Sequence, residues 1–210
     1  HQGRLDDKPQ LRERYFSIAE AEAQHLLALT NKILTLSKLE NHRLHLVPEP
    51  LPLRPVVEKL AESLAPKCPK PLHISYDLQV ETLCADPEFW PEVMQNLLDN
   101  AVKYTRPDAE AVEIRISTRP AGRHTTELRI RDNGRGISRR HLRTIFDKYE
   151  RASAERGRQQ ESAPAGFGLG LSFVHQVVRA HGGTIRAESE EGKWTEFVIR
   201  LPEMQEKEKE

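Results

Sequence analysis

Apolar positions recur along residues 9–41 in steps of three, four and seven: Leu11, Tyr15, Ile18, Ala19, Leu26, Leu29, Ile33 and Leu36. That spacing predicts one long helix from Pro9 to about Asn41 with a single apolar stripe. Pro9 suits its first turn. The opposite face carries Arg12, Glu13, Glu20, Gln24, Asn31 and Lys38. Such a stripe needs partner helices, from the same chain or a second one, so a bundle or coiled-coil role is expected. Four prolines, Pro48, Pro50, Pro52 and Pro55, then forbid helix and favour extended chain. They place a boundary between residues 1–46 and a domain over residues 47–204, with residues 205–210 left as a charged tail.

Within that domain the pattern changes type repeatedly. Arg54–Ala65 reads as a helix and His73–Leu78 as a strand. Pro87–Tyr104 reads as a helix opened by Asp86 as N-cap. Val112–Thr118 and Glu127–Arg131 alternate like paired strands. Ser153–Pro164 is polar and irregular and reads as a mobile loop. Leu169–His181 is helical and stops at Gly182-Gly183. Thr184–Ser189 and Glu196–Leu201 close the domain as strands, with a turn at Gly192. The order predicts an α+β fold: a two-layer sandwich, a mixed sheet with helices on one face, preceded by the long helix.

Composition narrows the setting. The 210 residues are 30% charged and 37% apolar, enough for one ordinary domain with a long solvated appendage. Lys+Arg and Asp+Glu both number 32, so net charge points to neither a nucleic-acid nor a membrane partner. Cys68 and Cys84 have no metal spacing and fit a reduced, cytoplasmic compartment. No apolar run approaches membrane-spanning length. The chain opens at His1 without methionine, which suggests a segment of something longer, whose remainder could hold a membrane anchor.

Four segments carry chemistry. In Asn96–Tyr104, steps of four and three put Asn96, Asn100 and Lys103 on one helix face, while Leu97, Leu98 and Ala101 look toward the core. Carboxamide oxygens suit a hard cation such as magnesium, and the ammonium can neutralise phosphate; a solvated polar face is the plainer reading. In Asp132-Asn133-Gly134-Arg135-Gly136-Ile137, glycines let the backbone approach a ligand closely, and an ionised Asp132 can accept a hydrogen bond from an exocyclic amine. An ordinary Asn-Gly turn is the alternative. Gly166-Phe167-Gly168-Leu169-Gly170-Leu171 runs into a helix and frees backbone N–H groups for an anion, unless it is simply a hinge. It lacks the Gly-Lys-Ser/Thr of a P-loop and the position of a Rossmann fingerprint. Ile145, Phe146 and Tyr149 either clamp the polar loop or pack in the core.

In order and spacing, these four segments resemble the catalytic and ATP-binding domain of two-component sensor histidine kinases. That family belongs to the Bergerat-type superfamily shared with gyrase, the heat-shock-90 chaperones and MutL. Asn96–Thr105 resembles the N box, Asp132–Ile137 the first glycine box, Phe146–Tyr149 the F box and Gly166–Leu171 the second glycine box. The helix ending Leu36-Ser37-Lys38-Leu39-Glu40 resembles the second helix of the dimerisation and phosphoacceptor hairpin. The resemblance implies ATP and Mg2+ as ligands. Asn100 would hold the metal, with Asn96 beside it and Lys103 on the phosphates. Tyr104 would lie at the adenine, and Asp132 would accept its amino hydrogen. Gly134, Gly136 and Ile137 would pass the base. Gly166, Phe167, Gly168, Leu169, Gly170 and Leu171 would wrap the phosphates, with a lid over about residues 148–165. It also implies phosphoryl transfer to a histidine and relay to a response-regulator aspartate. The parent protein would be a homodimer, anchored in the bacterial inner membrane with this domain in the cytoplasm.

The hydrolytic relatives place a glutamate four residues before the magnesium asparagine; here that position is Asn96, which cannot act as a base. Positioned base catalysis is worth about 10²–10⁴-fold, so its absence favours phosphotransfer over hydrolysis. Two features depart from the family pattern. No phosphoacceptor segment is present: His1, followed by Gln2-Gly3-Arg4, looks like the inter-helix end, and His25, His42 and His45 read as structural or solvated. The closing turn Gly192-Lys193-Trp194-Thr195 carries Trp194 where a second glycine is usual. A superfamily ATPase, an anti-sigma-type serine kinase and a non-catalytic nucleotide-binding module are the alternatives.

Overall fold

The long periodic stretch forms one helix, α1, Pro9–Glu40, of 32 residues. Its last turn is closed by Asn41, whose N–H and side-chain amide both reach the Ser37 carbonyl. Tyr15, Ile18, Leu26 and Ile33 of the predicted stripe are exposed, as are Phe16, Leu27 and Leu34 outside it. The computed structural model describes residues 9–41, 44–148 and 168–203. Contacts divide the chain into two compact units, residues 1–44 and 45–210. No helix among the described residues is long and apolar enough to cross a membrane.

The second unit opens with β1, Glu49–Pro52, which runs directly into helix α2, Leu53–Leu64. Leu53, Val57 and Leu64 are its buried positions, spaced by four and seven. Strands β2 (Leu72–Leu78) and β3 (Thr82–Ala85) follow, then helix α3 (Trp90–Lys103) and strands β4 (Val112–Pro120) and β5 (Thr125–Asp132). Helix α4 (Gly170–Ala180) and strands β6 (Thr184–Glu190) and β7 (Trp194–Pro202) complete the domain. Five strands form one mixed sheet in the order β2-β4-β5-β7-β6, with β2 parallel to β4 and the remaining pairs antiparallel.

Alternation on the strands fixes which face is covered. Val112, Ile114, Ile116 and Thr118 are buried on β4, whereas Glu113 and Arg115 stand in water. Leu128 and Ile130 on β5, and Phe197, Ile199 and Leu201 on β7, continue the buried side. Helix α3 meets it with Trp90, Val93, Met94, Leu97, Leu98 and Ala101, and α4 with Phe173, Val174, Val177 and Val178. Each such side chain contributes roughly 1.5–3 kcal/mol by leaving water. The expected two-layer α+β sandwich is therefore present.

Two features differ from the sequence reading. A two-stranded sheet of β1 and β3 was not expected. Its pairing sets Pro50 opposite Cys84 and Pro52 opposite Thr82; prolines lack the N–H of a ladder and are admitted only on edges. Helix α3 begins at Trp90 rather than Pro87, because Asp86 caps a separate turn ahead of it. Its Oδ1 accepts from Glu88 N–H (2.9 Å) and Phe89 N–H (3.2 Å), and its carbonyl accepts from Trp90 N–H (2.9 Å). Asp86 is also a junction: Oδ2 accepts from Val47 N–H, and its own N–H donates to His181 Nε2, each at 2.8 Å. The His181 ring is thereby held neutral, with Nδ1 donating to the Val177 carbonyl at 2.7 Å.

The open face of the sheet is laced by charge. Glu127 of β5 has no exposure left. Its Oε1 accepts from Arg119 Nη2 (2.6 Å) and Arg129 Nε (2.8 Å), and its Oε2 from Arg200 Nε (2.9 Å). Burial would raise this carboxyl, but hydrogen bonds from Arg200, Arg129 and Arg119 outweigh it and hold it at about 2. Because the folded value lies below the unfolded one, this contribution is complete above pH ~4.5 and disappears as pH falls toward 2. The arginines are partly solvated, so Glu127→Gln should cost about 1–2 kcal/mol at pH 7. In urea melts the gap between variant and parent should narrow below pH ~4.5 and close toward pH 2; a gap independent of pH would refute the assignment.

Candidate functional site

The amide-rich segment is the flank of α3, where the buried stripe leaves Asn96, Asn100 and Lys103 half-buried. Asn96 Nδ2 donates to the Glu92 carbonyl one turn back at 2.6 Å. That bond orients its Oδ1 toward the start of α4, where a Cβ on Gly170 would come within 2.8 Å of it. Past the helix end, the Tyr104 ring meets two cations, with Lys103 Nζ 5.2 Å and Arg135 Cζ 4.6 Å from its centroid. Asn100 and Lys103 lie between these two contacts along the helix.

Strand β5 delivers Asp132 at its end, paired with Ile114 on one side and Thr195 on the other. The carboxylate is buried, with 9% exposure, and Oδ1 accepts from Gly134 N–H at 2.8 Å. Burial pushes it up to about 6, against the Gly134 and Thr195 N–H groups and the Arg131 charge. A carboxylate so poorly solvated still has acceptor capacity beyond the one loop N–H on Oδ1.

The loop after Asp132 fits because it lacks side chains at two points. A Cβ on Gly134 would stand 2.6 Å from Asp132 Oδ1 and 2.8 Å from the Tyr104 carbonyl oxygen. Gly136 has φ +69° and would overlap the Glu190 carbonyl oxygen with any side chain. Hydrogen bonds then sew the loop to both neighbours. Arg135 N–H donates to the Tyr104 carbonyl (2.9 Å), Gly192 N–H to the Arg135 carbonyl (2.6 Å) and Ile137 N–H to Ser189 Oγ (2.8 Å). Arg106 bridges the carbonyls of Asn133 and Gly192, each at 3.2 Å. Asn133 Oδ1 accepts from Glu113 N–H (3.0 Å) and Nδ2 donates to the Ala111 carbonyl (3.1 Å). Lys70 Nζ donates to the carbonyls of Arg106, Pro107 and Ala109 and so holds the segment after α3.

Of the second glycine segment, Gly168 has φ +69°, Leu169 is buried with its carbonyl accepting from Phe173 N–H (3.0 Å), and Gly170 starts α4. Leu171 is half-buried. Gly166, Phe167, Tyr149 and nearly all of the expected lid lie outside the described residues, as do His1, His42 and the tail. Phe146 stacks on His175 of α4 at 5.7 Å and meets Phe197 of β7 edge-on at 6.4 Å, which ties this segment to both layers. Arg106, Asn133, Arg135 and Ser189 were not singled out from sequence. Asn133 was read only as a turn residue and Arg135 only as part of the glycine segment, while Arg106 and Ser189 reach the loop across separations that spacing does not encode.

Residues 85–205 match the family described as histidine kinase-, DNA gyrase B- and HSP90-like ATPases. The chain belongs to this family. It is 31% identical over 195 residues to the sensor protein kinase WalK of Staphylococcus aureus, matching 92% of this chain and 45% of one WalK sequence, or 31% of others. It thus spans under half the length of the curated relatives it matches. The histidine kinase AdeS of Acinetobacter baumannii superposes with a TM-score of 0.72 at 25% identity, over 90% of this chain and 84% of that one. Full-length ShkA in complex with AMPPNP gives a TM-score of 0.75 over 90% of this chain and 38% of ShkA, at 23% identity, a likeness of fold. The domain is an ATP-binding domain of the histidine kinase type, with the fold of these proteins.

Gly136→Ala combines a left-handed backbone with a backbone overlap, so it should cost about 3 kcal/mol or more. Urea unfolding measures this; a loss under about 1 kcal/mol would mean that the loop is not clamped against the β6–β7 turn.

Proposed function

We propose that this domain binds Mg2+–ATP between the α3 flank and the loop after β5, and passes the γ-phosphoryl group to a histidine of another segment or subunit. What carries the reading is the buried Asp132 carboxylate beside a loop with no side chains at Gly134 and Gly136. The adenine amino group would donate to Asp132, with Tyr104 and Ile137 beside the base. Lys103 would leave Tyr104 for the phosphates, joined by backbone N–H groups of Gly166, Phe167, Gly168, Leu169, Gly170 and Leu171. The carboxamide oxygen of Asn100 suits Mg2+, which when bound would neutralise phosphate charge, and Asn96 would stand next to it. Catalysis would consist of placement and charge neutralisation. With Asn96 where a base would activate water, transfer is favoured over hydrolysis.

The phosphoryl group would then pass to an aspartate of a response regulator, the partner expected of a sensor kinase. The exposed apolar residues of α1 support a homodimer in the parent protein, and that parent would be held at the bacterial inner membrane with this domain in the cytoplasm.

Binding is testable by calorimetry with Mg2+–AMPPNP. Asp132→Asn should lower affinity at least about tenfold at pH 7.5, with a melting temperature equal to or above the parent's, since a poorly solvated charge is removed. An adenine amine would favour the ionised form of Asp132, so uptake near pH 6 should release up to one proton and make the measured heat depend on the buffer. No buffer dependence together with unchanged Asp132→Asn affinity would sink this reading. Asn100→Ala should remove the Mg2+-dependent part of the affinity. With [γ-32P]ATP and a protein carrying the acceptor helix, the product should be acid-labile and base-stable; free phosphate alone would point to an ATPase.

A further inference from the structure

On the face of the sheet away from the helices lies an open groove of about 660 Å³, lined by side chains of four segments. His73 and Ser75 of β2 form one edge, Glu113 and Arg115 of β4 and Arg131 of β5 the floor, and Lys193 and Trp194 the far wall. Its arginines differ from all others on this face. Arg119, Arg129 and Arg200 share Glu127, Arg129 also holds Glu196, and Arg186 holds Glu188. Arg115 is exposed and has no ion pair or hydrogen bond among the described residues. It stands directly opposite Arg131 in the β4–β5 pairing. Arg131 Cζ sits over the Trp194 ring, 3.9 Å from its centroid, so the indole holds its guanidinium without neutralising it.

Like charges directly opposite one another on paired strands destabilise a sheet. One row along, the same sheet solves that problem with a buried glutamate. Among the described residues neither guanidinium forms an ion pair, although Asp132 also lines the groove and feels the Arg131 charge. Glu113 lies two residues along β4 from Arg115 on the same face, and Glu190 is engaged by Lys193 at 2.5 Å. The missing component is an oxyanion, and the volume suits a small molecule.

We propose that this groove is an anion-binding site, taking the carboxylate or phosphate group of a small ligand between Arg115 and Arg131, with Trp194 as its wall. The groove opens on the face of the sheet away from the α3 flank; Asp132 and Asn133 line its end, but Arg115, Arg131 and Trp194 have no part in the nucleotide reading, so the two are tested separately.

Trp194 makes it testable on the intact chain, because the other tryptophan, Trp90, is fully buried. Inorganic phosphate and succinate are titrated separately at constant ionic strength while tryptophan fluorescence is followed. At least one should give a saturable change at millimolar concentration or below, absent in Trp194→Phe. Arg115→Gln should weaken it about tenfold, as expected for losing one charge-assisted contact. Arg115 has no ion pair to lose and its repulsion with Arg131 is relieved, so this variant should melt with the parent or above it. Lys103→Ala, which would disturb phosphate bound at the α3 flank, should leave the titration unchanged. No saturable signal with either anion, or equal affinity in Arg115→Gln and the parent, would overturn the site; so would loss of the signal in Lys103→Ala.

Discussion

The backbone of the loop after β5 and the backbone of the turn between β6 and β7 occupy the same narrow space, and only the missing side chain at Gly136 lets both fit. From that contact the geometry of the site follows. It sets the height of Gly134, hence the N–H that holds Asp132, and the carbonyl of Tyr104 that receives Arg135. The end of α3 is thereby fixed to the end of β5. A loop of this kind is positioned by exclusion more than by attraction, since each hydrogen bond contributes only about 0.5–1.5 kcal/mol net.

Asp132 and Glu127 sit on the same strand and solve opposite problems. Glu127 is surrounded by guanidinium groups and stays ionised at almost any pH, which makes it a fastener. Asp132 is buried with weak compensation and stands close to the point of taking up a proton. A group left under-solvated in this way destabilises the empty domain and is relieved by a matching donor. On the proposed reading, stability is given up where a ligand is recognised and is recovered five residues away.

The layered fold was legible because its periodicities are strong. Leu97, Leu98 and Ala101 on α3 and the alternating valine and isoleucines of β4 leave little choice of face. The N-box and glycine-box segments were legible because their chemistry is local and compact. The β1–β3 pair was not, since β1 carries two prolines and β3 has only four residues, and their partnership spans some thirty positions. Nor was the start of α3: Asp86 beside Pro87 looks like a cap, and only the three-dimensional junction with Val47 and His181 reveals the separate turn. Arg106 was overlooked because a surface arginine has no signature until its acceptor is known.

The three guanidinium groups on Glu127 come from β4, β5 and β7, so the central strands are cross-linked on the side that carries no helices. The sheet therefore does not rely on the helical layer for its shape. Slow amide exchange would persist in these three strands, which are held by charge on one face and by apolar packing on the other.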